Sequence, residues 1–174
     1  MRLCFSRAIA ELAPRRPALR LHLCGSGPDE KNLRSLTRKL NIGSIVKFAG
    51  WAENERLRDY YSAADVFALP SISEPLGRVV LEAMACETLV LATNVGGPSD
   101  VITHEKNGLL LSPDDVGAWR AAIARALDNP AWRRQQAAAG RLVVVEKFSW
   151  ATIVRRFREE VFPRAMLPQP RSPR

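Results

Sequence analysis

Short β-rich runs alternate with helix-patterned stretches along almost the whole chain, and no other feature constrains its fold as much. Five runs read as strands: 19–24, 45–49, 66–69, 88–92 and 108–111. Between them lie helical patterns. Residues 29–40 carry Leu33, Leu36 and Leu40 on one stripe, and 53–63 carry Leu57, Tyr60, Tyr61 and Ala64. Residues 78–86 and 114–127 follow, the latter with Val116, Trp119, Ile123 and Leu127 at helical spacing. Two further helices, 131–145 and 150–162, close the chain. Strand–helix alternation with short connections makes parallel β-α-β units, so the expected fold class is α/β, a doubly wound parallel sheet. The runs are apolar and β-branched, as strands buried on both faces should be.

In such a sheet ligands bind at the carboxyl ends of the strands. The loops to inspect are therefore Gly25-Ser26-Gly27-Pro28, Gly50-Trp51, 70–77 and 94–100. The third holds Glu74 just before a helix start at about Gly77, with Glu82 inside that helix, seven residues between the two acids. The Leu76 and Gly77 amides fall where helical N–H groups lack partners and the dipole is positive. Gly77 lets a ligand approach the backbone closely. Carboxylates accept strong hydrogen bonds from sugar hydroxyls. Two carboxylates around a helix N-terminus would suit a phosphate between two hydroxylated rings, the shape of a nucleotide-sugar. On spacing alone a plainer reading stays open: Glu74 offsets the helix dipole and Glu82 is a solvated helix residue.

Composition narrows the classes. The chain has 174 residues, enough for one domain with a sizeable core. Its longest uncharged stretch is 12 residues, 88–99, too short to span a bilayer, and Arg7 and Glu11 break any signal-peptide run. Cys4, Cys24 and Cys86 are odd in number and unpaired in spacing, so they read as buried thiols in a reducing compartment. Of the net charge of +8, none comes from residues 1–118, which hold 14 basic and 14 acidic residues. Residues 119–174 hold 12 basic and four acidic. A solvated helical face plus a tail explains this, or a patch for an anionic partner or membrane. The neutral first two thirds and the lack of aromatic–basic interleaving argue against nucleic acid as a partner. Residues 163–174, with four prolines and no periodicity, read as a disordered tail after a domain of 1–162.

The segment from Glu74 to Glu82 and on to Ala85, EPLGRVVLEAMA, resembles the E-x7-E signature of glycosyltransferase family 4, the group 1 enzymes, in the nucleotide-sugar-binding C-terminal half of a GT-B fold. The likeness continues in order. LHLCGSGPDEKNL resembles the family's strand and G-x-G-P turn, and IVKFAGWAENERLRDYYSAADVFALPS its next two strands and helix. TNVGGPSDVITHEKNGLLLSPDD resembles the VGG-x-x-E and G-L-L segments, and FSWATIVRRF the C-terminal helix. The resemblance covers about residues 5–162.

It implies a Rossmann-like domain that binds a nucleotide-diphosphate sugar and transfers the hexose to an acceptor hydroxyl with retention. Glu74 would contact the hexose as the catalytic-centre carboxylate. Leu76 and Gly77 would offer amides to the sugar or diphosphate, Glu82 would bind the ribose, and Gly25 and Gly27 would let their loop approach the diphosphate. The family usually needs no bound metal, and the sequence shows no Asp-x-Asp and no His/Cys cluster. A glycan or glycolipid acceptor, polysaccharide biosynthesis, a cytoplasmic location and a peripheral place at the membrane surface follow as expectations. The family usually has Gly and Pro where this chain has Glu87 and Leu89, and Glu where it has Asp100.

The resemblance also implies parts not seen in this sequence: an N-terminal acceptor domain, an Arg/Lys clamp on the diphosphate, and the central first strand of the sheet. The chain begins at the helix after that strand. In strand order 3-2-1-4-5-6 the gap would fall between 19–24 and 66–69, leaving reduced stability and donor affinity. A truncated or orphan domain that binds without catalysis, or one that works with a separate N-terminal chain, is the alternative. The apolar face Trp150, Ile153, Val154, Phe157 and Val161 would then be partly exposed. Trp119, Trp132 and Trp150 are expected in the core, Trp51 in packing or else stacked on a base, and His22 and His104 in structural or solvated roles.

Overall fold

The computed structural model describes residues 3–161. The residues read as a disordered tail lie outside the described residues. The strands are β1 (Leu21–Cys24), β2 (Val46–Gly50), β3 (Val66–Leu69), β4 (Leu89–Thr93) and β5 (Leu109–Leu111). The helices are α1 (Leu3–Leu12), α2 (Glu30–Lys39), α3 (Asn54–Ala63), α4 (Arg78–Ala85), α5 (Pro98–Val101), α6 (Val116–Asp128), α7 (Pro130–Val143) and α8 (Trp150–Arg156). α1 is the helix expected at the chain start. α5 lies in a stretch read as loop, because four residues opening on Pro98 show no periodicity. α7 and α8 each run into a wide π-type turn, Val144–Phe148 and Phe157–Val161.

All strand pairs are parallel, but they form two sheets. β1 pairs with β2, and β4 lies between β3 and β5. Among the described residues no ladder joins β1 to β3, which is where the expected gap falls. The expectation of strands buried throughout holds only for β4. β1 alternates half-buried with exposed positions, β2 is half-buried except at the exposed Lys47, and β3 is half-buried along its length. The reason is position: β4 has a strand on either side and helices above and below, whereas β1 and β3 each leave one backbone edge unpaired.

One core bridges the two sheets. Leu89, Leu91, Leu109 and Leu111 of the three-stranded sheet are buried with Phe5, Ile9 and Leu12 of α1 and Trp119 and Ile123 of α6. Leu21 and Val46 of the two-stranded sheet pack against the same cluster, as do Val66 and Ala68. At roughly 25 cal/mol per Å² of apolar surface removed from water, such burial is what holds the halves together where backbone pairing does not. Side-chain caps start three helices: Asp115 accepts from the Ala118 amide (2.8 Å), Asn129 from Trp132 (3.0 Å) and Ser149 from Thr152 (3.3 Å).

Four side chains depart from expectation. Trp51 and Trp150 are 77% and 81% exposed, and of the three cysteines, none of them in a disulfide, only Cys4 is buried, with Cys24 exposed and Cys86 half-buried. Helical spacing gives a stripe but not whether anything covers it. The arginines of the last third also have internal work: Arg120 pairs with Glu11 (2.8 Å), Arg125 with Glu105 (2.6 Å) and Arg133 with Asp65 (2.7 Å).

Glu87 takes the left-handed conformation, φ 58°. It closes α4, with Glu87 N–H donating to Met84 O (2.9 Å) and Thr88 N–H to Ala83 O (3.1 Å). That is the helix end at which glycine is favoured, since a β-carbon there costs about 1 kcal/mol. Glu87→Gly should therefore stabilise the chain by about 0.5–1 kcal/mol, read from the denaturant midpoint. An unchanged midpoint would show that the strain is relieved elsewhere.

Candidate functional site

β3 stops at Leu69 before Pro70, and the loop that follows is pinned at three points. The buried Thr93 hydroxyl, at the end of β4, donates to Ser71 O (2.6 Å). Gly97 N–H donates to Glu74 O (2.8 Å). Gly77, left-handed at φ 68°, then starts α4, and its N–H donates to Glu74 Oε1 (3.0 Å). The first acid of the pair is thus folded back onto the helix N-terminus by its own loop. A β-carbon on Gly96 would stand 2.5 Å from Glu74 O, and one on Gly97 2.4 Å from the Leu76 carbonyl carbon. Only a glycine pair admits this backbone contact, so the 94–97 loop is a mould for residues 74–76.

Glu82 has different partners. Tyr61 Oη, from α3, donates to Glu82 Oε2 (3.2 Å), and Arg78 approaches Oε1 at 3.6 Å. The Tyr61 phenol is pushed well above the usual tyrosine range, first by burial and then by the Glu82 charge and hydrogen bond. Weaker contributions come from the Cys24 and Cys86 thiols, which sets the end of β1 near this tyrosine as well.

The predicted glycines sit at the ends of the other sheet. Gly25 N–H donates to Gly50 O (2.7 Å), tying the loops after β1 and β2 together, and both residues have positive φ, 118° and 71°. No protein atom would crowd a β-carbon at Gly25 or Gly27. An open cleft of about 600 Å³ beside Gly27 is lined by Pro28, Glu30, Lys31 and Arg34. Arg34 lies over the Phe48 ring at 4.1 Å and pairs with Glu30 at 2.7 Å.

Among the described residues no group of three or more His, Cys, Asp or Glu side chains is gathered as a metal would require. His104 is structural as expected: its Nδ1 accepts from the Leu110 amide (3.1 Å). The structure brings Glu74, Leu76 and Gly77 into one turn, sets Glu82 one helical turn further in, and leaves Gly25 and Gly27 on the neighbouring sheet's edge. Sequence reasoning missed Thr93, Tyr61 and the steric role of Gly96 and Gly97. A hydroxyl on the buried stripe of α3 was the available signal for Tyr61, since such a group needs a partner.

The chain and its fold have counterparts among known proteins. The model of the family described as glycosyl transferases group 1 matches residues 5–143. The chain belongs to that family. A D-inositol 3-phosphate glycosyltransferase from Catenulispora acidiphila is 39% identical to this glycosyltransferase domain over 133 residues, covering 71% of the chain and 31% of that relative. Sucrose-phosphate synthase from Thermosynechococcus elongatus superposes with a TM-score of 0.81 at 35% identity, over 93% of this chain and 42% of that one. The Anabaena protein HepE, solved in complex with UDP-glucose, superposes with a TM-score of 0.80 at 25% identity, over 92% and 44%. The α/β fold with parallel sheets matches these GT-B structures. The glycosyltransferase domain spans less than half the length of each.

Proposed function

We propose that this domain binds a nucleotide-diphosphate sugar at the carboxyl ends of its strands and serves transfer of the hexose to an acceptor hydroxyl with retention of configuration. The carrying observation is the pair of differently held carboxylates, Glu74 on the Gly77 amide and Glu82 on the Tyr61 phenol. Carboxylates repel phosphate and accept from hydroxyls, so both belong beside the rings of the ligand. The diphosphate falls to the donors: the Leu76 and Gly77 amides, and the open Gly25–Gly27 loop with Lys31 nearby. HepE, crystallised with UDP-glucose, supports a donor of this class.

In this reading Glu74 positions the hexose and stabilises positive charge developing at its anomeric carbon, while Glu82 accepts from the ribose hydroxyls. Charge on the departing diphosphate is met by backbone amides and cations, and the route asks for no bound metal. The acceptor is a glycan or glycolipid, held by protein beyond this domain, and three cysteines outside any disulfide fit a cytoplasmic setting, with the membrane surface as a peripheral site.

Titration of the chain with UDP-, GDP- and ADP-hexoses tests the binding half. One of the three should bind, and Glu82→Ala should weaken it by about tenfold or more, the loss of hydrogen bonds to a charged group. Equal affinity for the variant would remove Glu82 from the site. The split between β1 and β3 favours a second reading, binding without transfer. Donor turnover by the chain alone would exclude it.

A further inference from the structure

Tyr61 is 7% exposed, yet it carries a hydroxyl into the apolar cluster of Val80, Ala83, Met84 and Val90. A phenylalanine would fill the same volume without the desolvation cost of a buried hydroxyl. One contact holds the ring and another the backbone behind it. The ring meets Phe67 edge-on, with centroids 5.3 Å apart at 85°, and the Thr88 hydroxyl donates to the Tyr61 carbonyl at 2.6 Å. The Oη–H then points from α3 to a carboxylate on α4, at 3.2 Å from Glu82 Oε2.

Glu82 has little else to orient it. Its side chain is 35% exposed, and Arg78, 72% exposed at 3.6 Å, forms a solvent-screened i,i+4 pair that orders it only weakly. A half-exposed glutamate left to itself samples several rotamers, and ordering it on ligand binding costs affinity. A carboxylate has about four acceptor sites, so one hydrogen bond from a rigid phenol leaves the remainder available.

From this arrangement we infer that Tyr61 is a positioning residue of the nucleotide site: its hydroxyl holds the Glu82 carboxylate in place from behind, so that the carboxylate meets the ribose hydroxyls already oriented. The inference rests on the assignment of Glu82 to the ribose made above.

The test compares UDP, GDP and ADP with their analogues lacking both ribose hydroxyls, on the full chain and on Tyr61→Phe, Glu82→Gln and the double variant. The wild-type chain should prefer the hydroxylated form of the nucleotide it binds by about tenfold or more. Tyr61→Phe should reduce that preference by about three- to tenfold while leaving affinity for the analogue unchanged, a pattern that mere loosening of the fold does not produce. The double variant should lose no more preference than Glu82→Gln alone, because both remove one device. If Glu82→Gln loses the preference and Tyr61→Phe keeps it, the inference is wrong and the ribose assignment stands. If neither variant changes the preference, or no nucleotide binds, the ribose assignment fails and the inference falls with it.

Discussion

Replacing Gly97 with alanine should lower stability by about 1–3 kcal/mol and weaken nucleotide-sugar binding about tenfold. The added β-carbon would lie 2.4 Å from the Leu76 carbonyl carbon, 2.5 Å from its oxygen and 2.6 Å from its Cα. These are backbone atoms of the loop that presents Glu74, and they cannot rotate aside as a side chain does. Gly97 has φ −51°, open to any residue, so the cost is collision and not conformation. The loop can move only by giving up the Gly97 N–H bond to Glu74 O or by carrying Glu74 off the Gly77 amide. Either response disturbs the site. Gly43→Ala, where no atom lies within 4 Å of the new carbon, is the matched control and should stay within about 0.5 kcal/mol. Denaturant midpoints and a titration with the preferred nucleotide-sugar read both effects. Equal stability of the two variants would contradict the steric mould.

Trp119→Ala should cost about 3–5 kcal/mol, a large share of the roughly 5–15 kcal/mol that holds a domain folded. Trp119 is wholly buried, meets Phe5 of α1 edge-on at 5.3 Å, and donates from its indole N–H to Ser112 O at 3.0 Å. It sits in the cluster that both sheets pack against. With no ladder between β1 and β3, this contact of α6 with α1 bridges what hydrogen bonds do not. The loss should therefore be felt by both sheets at once, as one cooperative transition at lower denaturant. A shift under about 1 kcal/mol would mean that the indole is not central to the core.

How far the sequence could be read depends on how local the determining physics is. The five parallel strands were legible because buried strands are short apolar runs, and each was placed to within two residues at either end. The gap between β1 and β3 was legible only through the family resemblance. Composition says nothing about which strand lacks a neighbour. Glu74 and Glu82 were singled out by their spacing together with the family resemblance, but their opposite modes of restraint were not foreseen. One depends on a left-handed Gly77 that folds the loop onto itself, the other on a phenol 21 residues upstream. Trp150 shows a different limit: its spacing placed it in the core, while its place on the last apolar face left it partly exposed. Its stripe was read correctly from periodicity, and the structure leaves it 81% exposed, since periodicity marks a face without supplying what covers it.

The most direct measurement of the central claim is an amide ¹H–¹⁵N spectrum of the full chain as UDP-, GDP- or ADP-hexose is added. If the donor lies across the carboxyl ends of the strands, the amides of Gly25, Gly27, Leu76, Gly77 and Gly97 move together with one affinity, while those of α6 and α7 stay still. Saturable shifts confined to α6–α8, with the Glu74–Gly77 turn unmoved, would contradict it.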